Sequence, residues 1–184
     1  MASNVKNYTE IRIKKANLTL WPPSTIVIRP SGLKTVNVQS KQDLSQMVKT
    51  KEIKVKTKGN CDVVNITEQV RDFVGRSGVR EGAVTVFNVG STGAITTTEY
   101  EPGLVNYDIA AAFERIAPRD ASYEHEETWH DDNGHSHVRA SVLGPSLSVP
   151  VVDGKLMLGT WQQIILVDFD TRVRTRTVVI QIVY

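Results

Sequence analysis

The chain has 184 residues, 40% hydrophobic and 23% charged, with a net charge of +2 and a single cysteine. That length predicts one domain with a real core plus an appendage. The composition excludes an internal disulfide, a membrane-spanning apolar run and the strong basic excess of a nucleic-acid binder.

The opening MASNVKNYTEIRIKK lacks the apolar stretch of a secretion signal. With one cysteine, this predicts a cytoplasmic protein without membrane or nucleic-acid partners. Residues 1–46 carry Pro22-Pro23, Pro30-Ser31-Gly32 and a Ser/Gln/Lys-rich run over 39–46, with a short apolar patch at Ile26-Val27-Ile28. They are expected to form a loosely organised N-terminal extension with at most one short strand. Met47 precedes the first well-patterned strand, so a biological start at Met47 is the alternative.

From Lys51 the run KEIKVKTK alternates, placing Ile53 and Val55 inward and lysines outward. Gly59-Asn60 is a turn, and Cys61 after it, remote in sequence from any histidine, reads as inert rather than nucleophilic. Val63-Val64 marks a short segment. Thr67 is the expected cap of a first helix that carries Glu68 in its first turn and Val70, Phe73 and Val74 on its apolar stripe. Ser77-Gly78 ends it. Strands follow over 82–89 and 94–98. A second helix is expected over 106–117, capped by Asn106, with Ile109, Ala112, Phe113 and Ile116 buried and Pro118 as its stop.

Later strands are expected over 137–143, 146–152, 155–160, 162–169 and 173–183, with Asp153-Gly154 as a two-residue hairpin turn. The sum is an α+β domain over residues 47–184, a mostly antiparallel β-sheet sandwich with two helices.

All four histidines, His125, His130, His135 and His137, lie in residues 123–144, among Glu124, Glu126, Glu127, Asp131 and Asp132. Asp131-Asp132-Asn133-Gly134 signals a loop. If His135 and His137 open a strand, their spacing points both imidazoles to one face, and a third from the loop would complete a divalent-metal site. A solvated acidic loop is the alternative. Arg139 would then face away from the pair, and His130 would lie on the surface.

Several segments together resemble the YjbQ-like family, also called secondary thiamine-phosphate synthase enzymes. They are ITEQVRDFVGRSGVREGAVTVF, TTTEYEPG, NGHSHVRASVLGPSLSVPV, DGKLMLGTWQQI and RTRTVVIQI. The resemblance runs from about residue 51 to the end and leaves 1–46 outside. It implies a compact antiparallel α+β fold, a homotrimer with polar pockets between subunits, and a weak thiamine-phosphate-forming activity in some members.

Carried onto this chain, the family's tyrosine-x-histidine falls on Tyr123 and His125, and its histidine-x-histidine on His135 and His137. The glutamate after the threonine-rich turn falls on Glu99, the Gly-Thr-Trp-Gln segment on Gly159, Thr160, Trp161 and Gln162, and the closing Arg-x-Arg on Arg174 and Arg176. Many members carry a histidine where this chain has Gly90.

The expected function is that of an enzyme, a thiamine-phosphate synthase-like transferase, acting on a small phosphorylated molecule. Glu99 and His137 are the catalytic candidates, Glu99 as general base or as partner of an imidazole, with an exposed acid at a turn as its alternative. His125, His135 and His137 are the metal candidates, with zinc the first choice and no organic cofactor. Ser91 and Thr92, in a small-residue turn, together with Gln162, Arg174 and Arg176 would hold the anion, with a ligand-free tight turn and solvated edge arginines as the alternatives. Trp161 is expected in the core or an interface. The competing reading is a non-catalytic trimer that binds a metal or metabolite.

Overall fold

The computed structural model describes residues 47–184. The extension expected over 1–46 lies outside them. Eight strands and four helices are formed among the described residues. The strands are β1 (Val48–Thr57), β2 (Asp62–Asn65), β3 (Gly82–Val89), β4 (Gly93–Glu99), β5 (Ser146–Val152), β6 (Lys155–Leu156), β7 (Gln162–Asp168) and β8 (Arg174–Val183). The helices are α1 (Thr67–Ser77), α2 (Ile109–Ile116), α3 (Glu124–Trp129) and α4 (Gly134–Leu143).

Every strand pairing is antiparallel. One sheet has the order β1-β8-β3-β5-β6 and the other β2-β7-β4. The fold is therefore the expected α+β sandwich, with a helical layer added. Alternation explains the larger sheet. Val84 and Val86 of β3 and Val178, Ile180 and Ile182 of β8 are fully buried, while their neighbours in sequence face outward.

β7 departs from alternation because both its faces are covered. Ile164 and Leu166 join the cluster between the sheets, with Ile95, Val84 and Ile180. Ile165 and Val167 join a second cluster with Phe113 of α2, Ala140 of α4 and Phe169. Burying each of these side chains contributes roughly 1.5–3 kcal/mol.

α1 adds Val70 and Val74 to the inter-sheet cluster and ends at Gly78, whose φ of 72° is the left-handed stop that glycine supplies. Thr67 does not cap it. Its hydroxyl accepts the Ile164 N–H at 2.8 Å, and its own N–H is taken by Asn65 Oδ1. α1 is thus pinned to β7 rather than closed on itself. Asp153 and Gly154, at φ 51° and 75°, make the expected β5–β6 turn.

Asn106 caps nothing. A π-helical turn, Leu104–Asp108, leads into α2, and its first N–H groups go to the Glu101 carboxylate. Phe113 is buried as expected, but Ile116 is 57% exposed. No described helix is long and apolar enough to cross a membrane.

The main correction concerns residues 137–143, expected as a strand and folded as part of α4. Its inward face is His135, Ser136, Arg139 and Ala140, at helical spacing, while Val138 and Val142 face out. The inward polar groups are satisfied. Ser136 Oγ donates to Phe169 O at 2.6 Å, Arg139 Nε donates to Ala117 O at 2.9 Å, and Arg139 Nη2 meets Glu114 Oε2 at 2.5 Å.

Candidate functional site

α3 and α4 are joined by a short turn, and the histidines sit on its two sides. Glu126 ties it together. Its carboxylate accepts the N–H groups of Gly134 at 2.8 Å and Asp132 at 2.6 Å, so α3 supplies an acid to the start of α4. These bonds, that to Gly134 first, hold its carboxyl below the ordinary value. Gly134 is packed so tightly that a Cβ there would fall 2.5 Å from Tyr123 Cβ. Tyr123 is held from behind by its hydroxyl, which donates to Pro118 O at 2.7 Å.

Two residues apart on a helix, His135 and His137 point in nearly opposite directions, so the shared face of a strand is lost. His135 turns into the core. It is 2% exposed, and its ring lies 6.2 Å from that of Tyr123. Burial, and then the charge of Arg139, push its pKa below the ordinary imidazole value. Arg139, expected to face away from the histidine pair, shares the buried face of His135.

His137 points the other way and meets His125, with ring centroids 4.6 Å apart. Asp131 completes this side, its Oδ1 3.4 Å from His125 Nε2. Asn133 Nδ2 donates to Asp131 Oδ2 at 3.0 Å. Among the described residues, His125 Nε2, Asp131 Oδ1 and Asn133 Oδ1 are buried atoms without a hydrogen-bond partner. Leaving such atoms unpaired costs about 1–3 kcal/mol each, and His125 Nε2 and Asp131 Oδ1 face each other across 3.4 Å, each the nearest available partner of the other. His130 is exposed, at the left-handed end of α3.

A divalent metal held by His125, His135 and His137 does not fit this arrangement, because the helix separates the donors. Among the described residues no three His, Cys, Asp or Glu side chains gather to hold an ion.

The anion candidates are placed differently from expectation. Arg174 and Arg176 do share a face, yet both are already paired. Arg176 is buried, with Nε and Nη2 on Asp168 at 2.8 and 2.5 Å and Nη2 also on Thr92 Oγ1 at 2.8 Å. Arg174 Nε lies 3.0 Å from Asp170 Oδ2. Burial alone would raise the pKa of Asp170, but hydrogen bonds from Arg174 and Thr92 hold it below the ordinary carboxylate value. Thr57 Oγ1 donates to Asp168 at 2.5 Å.

Thr92 therefore belongs to a buried ionic network, and Ser91 beside it is exposed. Glu99 stands exposed at the end of β4, opposite Gln162, and makes no hydrogen bond to a histidine among the described residues. Gln162 donates to Thr97 Oγ1 at 2.8 Å and lines a cavity of about 260 Å³ between β4 and β5. Trp161 is 71% exposed, so it is not in the core. Cys61 is buried and desolvation pushes its thiol up to about 11, as suits an inert residue.

Asp131 and Asn133 escaped the sequence reading as site residues. Their signal was present in the Asp-x-Asn-Gly loop six residues after His125, which reads as a turn until the helices on either side are known.

The fold defines the class, small two-sheet α+β proteins with antiparallel strands, and this chain gathers two imidazoles and a carboxylate on its helical side. Residues 51–184 match the family described as UPF0047 protein YjbQ-like, and the chain belongs to it. A UPF0047 protein of Methanothermobacter thermautotrophicus is 40% identical over 123 residues, 67% of this chain and 84% of that protein. One from Archaeoglobus fulgidus is 38% identical over 130 residues, 71% of this chain and 98% of its own. The crystal structure of a protein of unknown function from Sulfolobus solfataricus superposes with a TM-score of 0.69 at 36% identity, covering 73% of this chain and 96% of that one.

Proposed function

We propose that the chain is an enzyme acting on a small phosphorylated molecule, with His125, His137, Asp131 and Asn133 as its working groups. The observation that carries this reading is the meeting of two imidazoles, 4.6 Å apart, with the Asp131 carboxylate beside one of them. Asp131, facing Nε2, holds the proton of neutral His125 on that nitrogen and leaves Nδ1 as the acceptor. His137, beside it, serves as the second proton-transfer group toward a phosphate-bearing leaving group. Asn133 orients Asp131 by donating from Nδ2 to its Oδ2. No step runs through a metal.

Formation of thiamine phosphate, in which a thiazole phosphate displaces pyrophosphate from a pyrimidine diphosphate, is the reaction to assay first. We also propose that the chain assembles as a homotrimer. A second reading, a non-catalytic trimer that binds a metabolite, is favoured by the pairing of Arg174 and Arg176 with Asp170 and Asp168, since neither cation is free for a phosphate.

Assay of thiamine-phosphate formation by the unmodified chain and by Asp131→Asn separates the two. The enzyme reading expects turnover that falls about 100-fold in the variant. No turnover by the unmodified chain, with metabolite binding retained, selects the second reading.

A further inference from the structure

With Arg174 and Arg176 occupied, unpaired cations stand on β1 and just after it, at Lys56 and Lys58. In the β1–β8 register Lys56 lies opposite Thr175 and Thr57 opposite Arg174. Among the described residues neither Lys56 nor Lys58 forms an ion pair, whereas Lys54 lies 3.9 Å from Glu52 and donates to Thr177.

Both lysines line a cavity of about 450 Å³ together with Thr57, Asp62 and the largely apolar Val63, Val64, Tyr100 and Val173. That volume suits a small molecule. Tyr100 is fixed against the floor because its hydroxyl donates to Val63 O at 3.2 Å. Tyr100 nevertheless remains 42% exposed and Val173 75% exposed. Asp62, also lining the cavity, already accepts the Lys58 backbone N–H at 2.8 Å. Two lysines against one aspartate give the lining of the cavity a net positive charge.

Lysines on an edge strand such as β1 guard it against pairing with other chains. That role accounts for exposed charge along the edge, but not for exposed apolar side chains gathered beside two unpaired cations. We propose that this cavity binds a small organic anion with an apolar, ring-sized body. Lys56 and Lys58 hold its charge, and Tyr100, Val63, Val64 and Val173 hold its body. The proposal does not rest on the histidine site.

Amide chemical shifts of the full chain, titrated with phenyl phosphate, test it. Perturbations should centre on Val63, Tyr100 and Val173, and inorganic phosphate or benzyl alcohol, each carrying half of the probe's chemistry, should bind more weakly. Lys56→Gln combined with Lys58→Gln should weaken phenyl phosphate about tenfold, and Val173→Asp should weaken it similarly by repelling the anion. His125→Ala should leave these perturbations unchanged, so failure of the catalytic reading would not touch them. Equal affinity in wild type and the lysine variant, perturbations centred elsewhere, or none at saturating probe would overturn the proposal.

Discussion

His135 and His125 show how one residue type takes opposite roles through backbone geometry. His135 is enclosed by α4 and Tyr123 and stays neutral, so it acts as a core side chain. Its folded pKa lies below the unfolded value, so the unfolded chain binds the extra proton first. The stability it contributes is complete above about pH 6.5 and is lost as pH falls toward the folded pKa. Urea midpoints should therefore drop between about pH 7.5 and about pH 5.5, and His135→Gln should flatten that drop. An unchanged slope in the variant would mean that another group governs this window. Gly134 gives a second expectation at this scale. Gly134→Ala drives a methyl group into Tyr123 and should destabilise by about 1–3 kcal/mol, read from the same midpoints.

Among the elements, α4 and the segment from Asp168 to Arg176 set the site's frame. Phe169 O receives Ser136 Oγ, and Phe169 N–H donates to Thr92 O at 2.9 Å, so the end of β7 joins the histidine helix to the turn before β4. The Arg176–Asp168 pair lies beneath this junction. Asp168→Asn should cost about 3 kcal/mol because it strands a buried guanidinium, whereas Asp168→Leu with Arg176→Met should recover much of that loss. Loss as large in the double variant would show that the pair's other hydrogen bonds matter more than its charge. α1 and most strands were legible because their buried residues are apolar at the period of the element. α4 was not. It turns His135, Ser136 and Arg139 inward and leaves Val138 and Val142 outside, so apolar alternation traced the wrong face. Only the carbonyls and carboxylate that meet those polar groups make the inward face stable, and sequence spacing does not show them.

At the scale of the whole molecule, the outer face of the larger sheet carries Phe87 and Val89 on β3, 41% and 51% exposed, with Val183 and Val152 on the same side. A surface of this kind suits burial against another subunit. The proposed homotrimer should give three times the monomer mass by light scattering at micromolar concentration, and a monomer there would contradict it. The antiparallel sandwich followed from alternation, turn residues and the family resemblance, whereas the strand order came only with the structure. The meeting of His125 with His137 depended on a helix–turn–helix that no period announced, and the role of Asp131 emerged only with it. The central claim is that this turn, rather than the histidine pair read as a strand, carries the chemistry. Thiamine-phosphate formation by a His125→Ala protein with an unchanged melting temperature tests that claim most directly. A fall of about 100-fold or more relative to the unmodified chain is the predicted result, and undiminished turnover would contradict it.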